Sequence, residues 1–117
     1  PLTFHDAIFI FFLYLKKINF NALEDFIENL KFQHIAKLIK EKRAEHPKKY
    51  SQGKLSALLG YKNGQFISNL ERAKCGLPAK IYLLTCETLS IHPFELKRAL
   101  MQDFEEDLNE QLHLFKE

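Results

Sequence analysis

Gln65 and Asn69 stand four residues apart, with Lys62 and Arg72 on either side of them. On an α-helix that spacing puts both carboxamides on one face. A carboxamide can bond an adenine edge bidentately, accepting from N6 and donating to N7, in a major groove wide enough to admit a helix. The flanking Lys62 and Arg72 supply charge of the kind that neutralises phosphates. An ordinary solvated helix face has the same residue types, so the elements that position these four side chains decide which chemistry is open to them.

Those elements are two short helices. Ser51 is an N-cap candidate for the first, whose apolar side is formed by Leu55, Leu58 and Leu59 before Gly60 ends it. Asn63-Gly64 opens the second, predicted over Asn63 to Lys74, with Phe66, Ile67 and Leu70 apolar and Gln65, Ser68, Asn69 and Arg72 on the remaining surface. Leu55, Leu58, Phe66, Ile67 and Leu70 lock the pair together, and small Ser56 permits close approach. Cys75-Gly76-Leu77-Pro78 closes the second helix.

The rest of the chain also reads as helix. Thr3 with Asp6 is an N-cap and third-position acid for a helix from Phe4 to about Lys17, and Asn21 with Glu24 repeats the signal. Leu23, Phe26, Ile27, Leu30, Ile35, Leu38 and Ile39 fall at three- and four-residue steps, with a break placed near His34 and a stop before Pro47. A fifth amphipathic stretch covers about Ala79 to Leu89, and Pro93 suits the first position of a last helix striped by Leu96, Leu100, Phe104, Leu108 and Leu112. Period-2 alternation and hairpin signals are missing, so the expected fold class is all-α.

The formal net charge is +2 over 117 residues, a balance that alone points to no charged partner. Resolved along the chain, residues 1–35 carry −1, residues 36–82 carry +8 and residues 83–117 carry −5. The positive charge therefore lies around the short helix pair. Cys75 and Cys86 have the spacing of neither a redox pair nor a zinc site, which suits a reducing, cytoplasmic setting. The longest apolar run, Ala7 to Leu15, has nine residues against about 20 for a bilayer-crossing helix, so no membrane association is expected. Its flanks, His5-Asp6 and Lys16-Lys17, are the reverse of a secretory signal, and the opening at Pro1 rather than Met reads as a processing or expression boundary.

Other chemistries find little support. His5, His34, His46, His92 and His113 do not fall at metal-ligand spacing. Asp103, Glu105, Glu106, Asp107 and Glu110 are better read as a solvated helix face than as a cation site, for they lack a loop glycine. Without a nucleophile elbow or a glycine-rich phosphate loop, no enzyme activity, metal or cofactor is expected.

The run S51-Q52-x-x-L55-S56-x-x-L59-G60 followed by F66-I67-S68-N69-L70-E71-R72 resembles the Cro/CI-like (XRE) helix-turn-helix family of DNA-binding regulators, and the likeness continues through Pro78 and L89-S90-I91-x-P93-x-E95-L96. It covers about residues 35–100 and implies a lambda-repressor-like helix-turn-helix bundle, here with additional N-terminal helices and a long C-terminal helix. Position by position, it implies that Gln52 contacts phosphate and buttresses the recognition helix. Gly64, Gln65 and Asn69 match base-facing positions, with Ser68 between them near the backbone. Arg43 and Glu71 match an internal, structural salt bridge.

Three departures from the family pattern stand out. The turn after Gly60 is one residue longer than the commonest spacing, which leaves Lys62 and Asn63 open between turn and reader. Residues 44–50 are also longer than usual, and Lys48 and Lys49 make them a candidate phosphate-contacting loop. Gly64 stands where a base-contacting side chain is common, which shifts specificity toward Gln65, Asn69 and DNA shape.

The expected organisation is an N-terminal helical extension over 1–34, a DNA-binding domain over 35–100 and an acidic C-terminal helix over 101–117. The expected function is sequence-specific binding of a double-stranded DNA operator, as a transcriptional repressor. Base readers are Gln65, Asn69, Ser68 and Asn63, and phosphate contacts come from Gln52, Lys48, Lys49, Lys54, Lys62 and Arg72. Seven of eleven phenylalanines lie in residues 1–35, more apolar surface than the short core needs to cover, so a homodimer built by the N-terminal and C-terminal helices is expected. Two alternatives are an antitoxin whose apolar helices cap a protein partner, and an interaction adaptor that keeps the fold without binding DNA.

Overall fold

Helices account for the regular structure in the computed structural model, which describes residues 3–18 and 30–112, with side chains for 3–13 and 30–112. They are α1 (Phe4–Ile18), α2 (Gln33–Glu45), α3 (Gln52–Leu58), α4 (Gln65–Glu71), α5 (Tyr82–Leu89), entered through a 3-10 turn at Ala79–Ile81, and α6 (Pro93–Gln111). No strand occurs among the described residues, so the fold is all-α. The helix expected from Asn21 and Glu24, with Leu23, Phe26 and Ile27, lies outside the described residues.

Local signals set most helix ends. The Thr3 hydroxyl oxygen accepts from Asp6 N–H at 3.0 Å and the Asp6 carboxylate accepts from Thr3 N–H at 3.1 Å, a reciprocal cap on α1. Hydrogen bonding from Thr3, its backbone N–H foremost, holds the Asp6 carboxyl below its ordinary value. Ser51 Oγ accepts from Lys54 N–H at the start of α3, and Gly60, at φ 94°, ends that turn with Tyr61 N–H bonded back to Ser56 C=O. Ser90, at φ 55°, does the same for α5, where Ile91 N–H returns to Cys86 C=O.

Residues 31–103 form one unit, and residues 1–30 with 104–117 form another. The core of the first is built from Ile35 and Ile39 of α2, Leu55 and Leu59 around α3, and Ile67 and Leu70 of α4, with Leu89 and Leu96 among those that close it. In the second unit Phe11 and Leu108 are buried, with Phe104 and Leu112 packed around them, and the Phe4 ring meets Phe104 edge-on at 6.1 Å.

Three expectations are corrected. Leu58 does not lock the helix pair: it is 40% exposed, and Ser56, fully buried, takes the position facing α4. The second helix of the pair is shorter than Asn63–Lys74, because Asn63 lies in the preceding turn and Ala73 adopts φ 58°, with Lys74 N–H folded back to Asn69 C=O. The acids of the last helix are not uniformly solvated: Glu105, Glu106 and Glu110 are exposed, but Asp103 and Asp107 are buried. Asp103 has a definite task. Phe32, before α2, is in the left-handed region at φ 52° and caps nothing with its side chain, so His34 and Ile35 N–H donate instead to the Asp103 carboxylate at 2.7 and 3.0 Å.

Candidate nucleic-acid interface

The α3–α4 pair shares the buried Leu55, Leu59, Ile67 and Leu70, and its backbones also approach closely. A Cβ on Gly64 would lie 3.1 Å from the Gly53 nitrogen and 3.3 Å from its Cα, so a glycine at the head of α4 lets the two backbones touch. Two donors of the first turn of α4 find side-chain acceptors: Asn63 Oδ1 takes Gln65 N–H at 2.9 Å, and buried Ser56 Oγ takes Ile67 N–H at 3.3 Å. The Tyr61 and Phe66 rings stack at 3.8 Å across the turn. Asn63 therefore has a turn-forming role for its carboxamide oxygen.

The outward face of α4 carries Gln65, Asn69 and Arg72. Asn69 Oδ1 accepts from Gln65 Nε2 and from Arg72 Nη2, each at 2.9 Å, and Arg72 Nε donates to Ser68 C=O at 3.3 Å. Gln65 and Arg72 are exposed, whereas Ser68 and Asn69 are half-buried. The i, i+4 and i, i+3 spacings of positions 65, 69 and 72 place the three on one helix face but do not by themselves fix this chain of bonds.

The opposite side of α4 is anchored by charge. The Glu71 side chain, 3% exposed, accepts two bonds from the Arg43 guanidinium, at 2.6 and 2.9 Å, and one from Gln52 Nε2 at 3.0 Å. Burial pushes the Glu71 carboxyl up, but the bonds from Arg43 and Gln52 and the charge of Arg43 outweigh it and hold the group below its ordinary value. Arg43 Nη1 also donates to Tyr50 C=O at 3.1 Å, so one guanidinium ties the 46–50 loop to α4. Gln52 is half-buried, and its amide nitrogen is turned to Glu71.

Lys48, Lys49, Lys54 and Lys62 are exposed. The loop that carries the first two is more ordered than its composition suggests: His46 Nδ1 accepts from Lys48 N–H at 3.1 Å, its ring stacks on Tyr50 at 4.9 Å, and Lys49 sits at φ 47°. The roles of His46 and Tyr50 in shaping this loop had no signal in the sequence beyond a turn-forming Pro47. Cys75 is half-buried and Cys86 lies in the core, and burial pushes both thiols up, away from nucleophilic reactivity. Among the described residues no group of three His, Cys, Asp or Glu is placed to hold a metal ion, and no helix is long and apolar enough to cross a membrane.

Comparison with protein-family models, with curated proteins and with solved structures finds no match to this chain.

Proposed function

We propose that this chain is a sequence-specific double-stranded-DNA-binding protein with a lambda-repressor-like helix-turn-helix arrangement, acting as a dimeric transcriptional repressor of the Cro/CI-like kind. In this reading α3 lies across the backbone and α4 enters the major groove. The observation that carries it is the closely packed α3–α4 pair, which presents Gln65, Asn69 and Arg72 outward within a segment of charge +8. Exposed Lys48, Lys49, Lys54 and Lys62 supply phosphate contacts and most of the affinity. Dimerisation sets two recognition helices about 34 Å apart, one helical turn of DNA.

Selection of bound sequences from a random duplex pool, together with a solution mass, tests this reading. A palindromic enriched site and a dimeric mass are the expected results, and absence of any enriched sequence at low salt would count against DNA binding.

A second reading, an antitoxin with a protein partner, draws on α1, where Phe9, Ile10, Phe12 and Leu13 are 44–66% exposed. Co-purification of a stoichiometric small protein with the native gene product, abolished when these residues are made polar, would favour it.

A further inference from the structure

Asn69 Oδ1 receives two hydrogen bonds, and their donors differ in what they allow. Arg72 has only donors, so the atom of Asn69 facing it must be the carboxamide oxygen. That oxygen, being an acceptor, in turn requires the NH2 end of Gln65 to face it. The polarity of one guanidinium is thus passed along the helix face to the Gln65 side chain four residues before Asn69. An exposed Gln otherwise exchanges its two amide orientations at little cost.

The two carboxamides are left with different capacities. Gln65 spends one of two N–H bonds on Asn69 and keeps its carbonyl oxygen and its second N–H, the acceptor and donor that the N6 and N7 edge of adenine demands. Asn69 has both lone-pair directions of its oxygen occupied and keeps donors alone, so it cannot complete the same bidentate contact while the chain of bonds stands.

We propose that Arg72 and Asn69 are positioning residues that orient the Gln65 carboxamide, so that a single adenine is read by Gln65 rather than one by each carboxamide. This rests on the DNA-binding reading above. Pre-orientation lowers the rotamer cost of recognition, because the side chain is already held in the arrangement the base requires.

The test is sequence selection on random duplexes with the wild-type chain and with the variants Gln65→Ala, Asn69→Ala and Asn69→Asp, alongside NMR of the Gln65 side-chain amide in these free proteins and in Arg72→Ala. Gln65→Ala is expected to lower adenine preference roughly 5- to 150-fold at one position per half-site. Asn69→Ala is expected to relax that same position and no other. Asn69→Asp keeps an acceptor for both Arg72 and Gln65, so it is expected to retain the adenine preference while binding more weakly overall. In the free protein, Asn69→Ala and Arg72→Ala are each expected to shift the Gln65 amide proton signals, and Asn69→Asp to leave them bonded.

Loss of preference at a second position in Asn69→Ala, with the Gln65 position intact, would overturn the division of labour. Gln65 amide signals unmoved by both Asn69→Ala and Arg72→Ala would overturn the orienting chain. A wild-type protein that enriches no sequence would overturn the DNA-binding reading, and this proposal with it, even where the NMR shifts are seen.

Discussion

Arg43 grips Glu71 through two parallel hydrogen bonds, Nε to Oε2 at 2.6 Å and Nη2 to Oε1 at 2.9 Å, and so fastens α2 to the last residue of α4. Arg43→Met removes the charged partner of a carboxylate that is 3% exposed. The expected loss is about 3 kcal/mol, the lower end for breaking a buried pair, because Gln52 still donates to Glu71. Urea denaturation measures it. The double variant Arg43→Met, Glu71→Leu should recover much of the loss, since no unpaired charge remains buried.

Glu71 also predicts how stability depends on pH. Its folded-state pKa lies below the ordinary glutamate value, so the folded state binds this proton less readily than the unfolded state. The contribution is fully present above the unfolded value and is lost as the pH falls through the lowered folded one. Stability is therefore expected to decline as the pH falls through the ordinary glutamate value and on through the lowered folded one. In Glu71→Gln part of that decline should vanish. Chemical denaturation of both proteins between neutral and acidic pH checks this, and parallel curves would contradict it.

Asp103→Ala removes the acceptor for His34 and Ile35 N–H. The expected cost is about 1–2 kcal/mol, as for loss of a helix cap, and hydrogen exchange at those two amides should quicken. Asp103→Asn retains one acceptor oxygen and should cost less. A thermal melt and exchange rates that match wild type would show that α2 does not depend on this cap.

Lys48 and Lys49 lie in the loop that Arg43 holds through Tyr50 C=O. If both reach phosphates, the double alanine variant should reduce the slope of log affinity against log salt by roughly 2, close to 0.9 for each phosphate left unneutralised. Sequence preference should be unchanged, since phosphate contacts position the protein without reading bases. An unaltered slope would remove this loop from the interface.

The sequence by itself determined the all-helical class and many of the helix ends. Thr3 with Asp6, Ser51, Gly60 and Pro93 act on backbone groups within a few residues of themselves, so their effect does not depend on the rest of the chain. Tertiary structure decided what those signals could not reach. Asp103 and Asp107 look like members of a solvated acidic face until Asp103 is seen capping a helix 69 residues earlier in the chain. Leu58 looks like core by its spacing yet is 40% exposed, and the close approach expected from small Ser56 is made where Gly64 meets Gly53. The outward spacing of Gln65, Asn69 and Arg72 was legible as a helix face, but the sharing of one Asn69 oxygen by both neighbours was not. Helix caps and apolar periodicity are short-range, whereas burial and hydrogen-bond partnership belong to groups that only folding brings together.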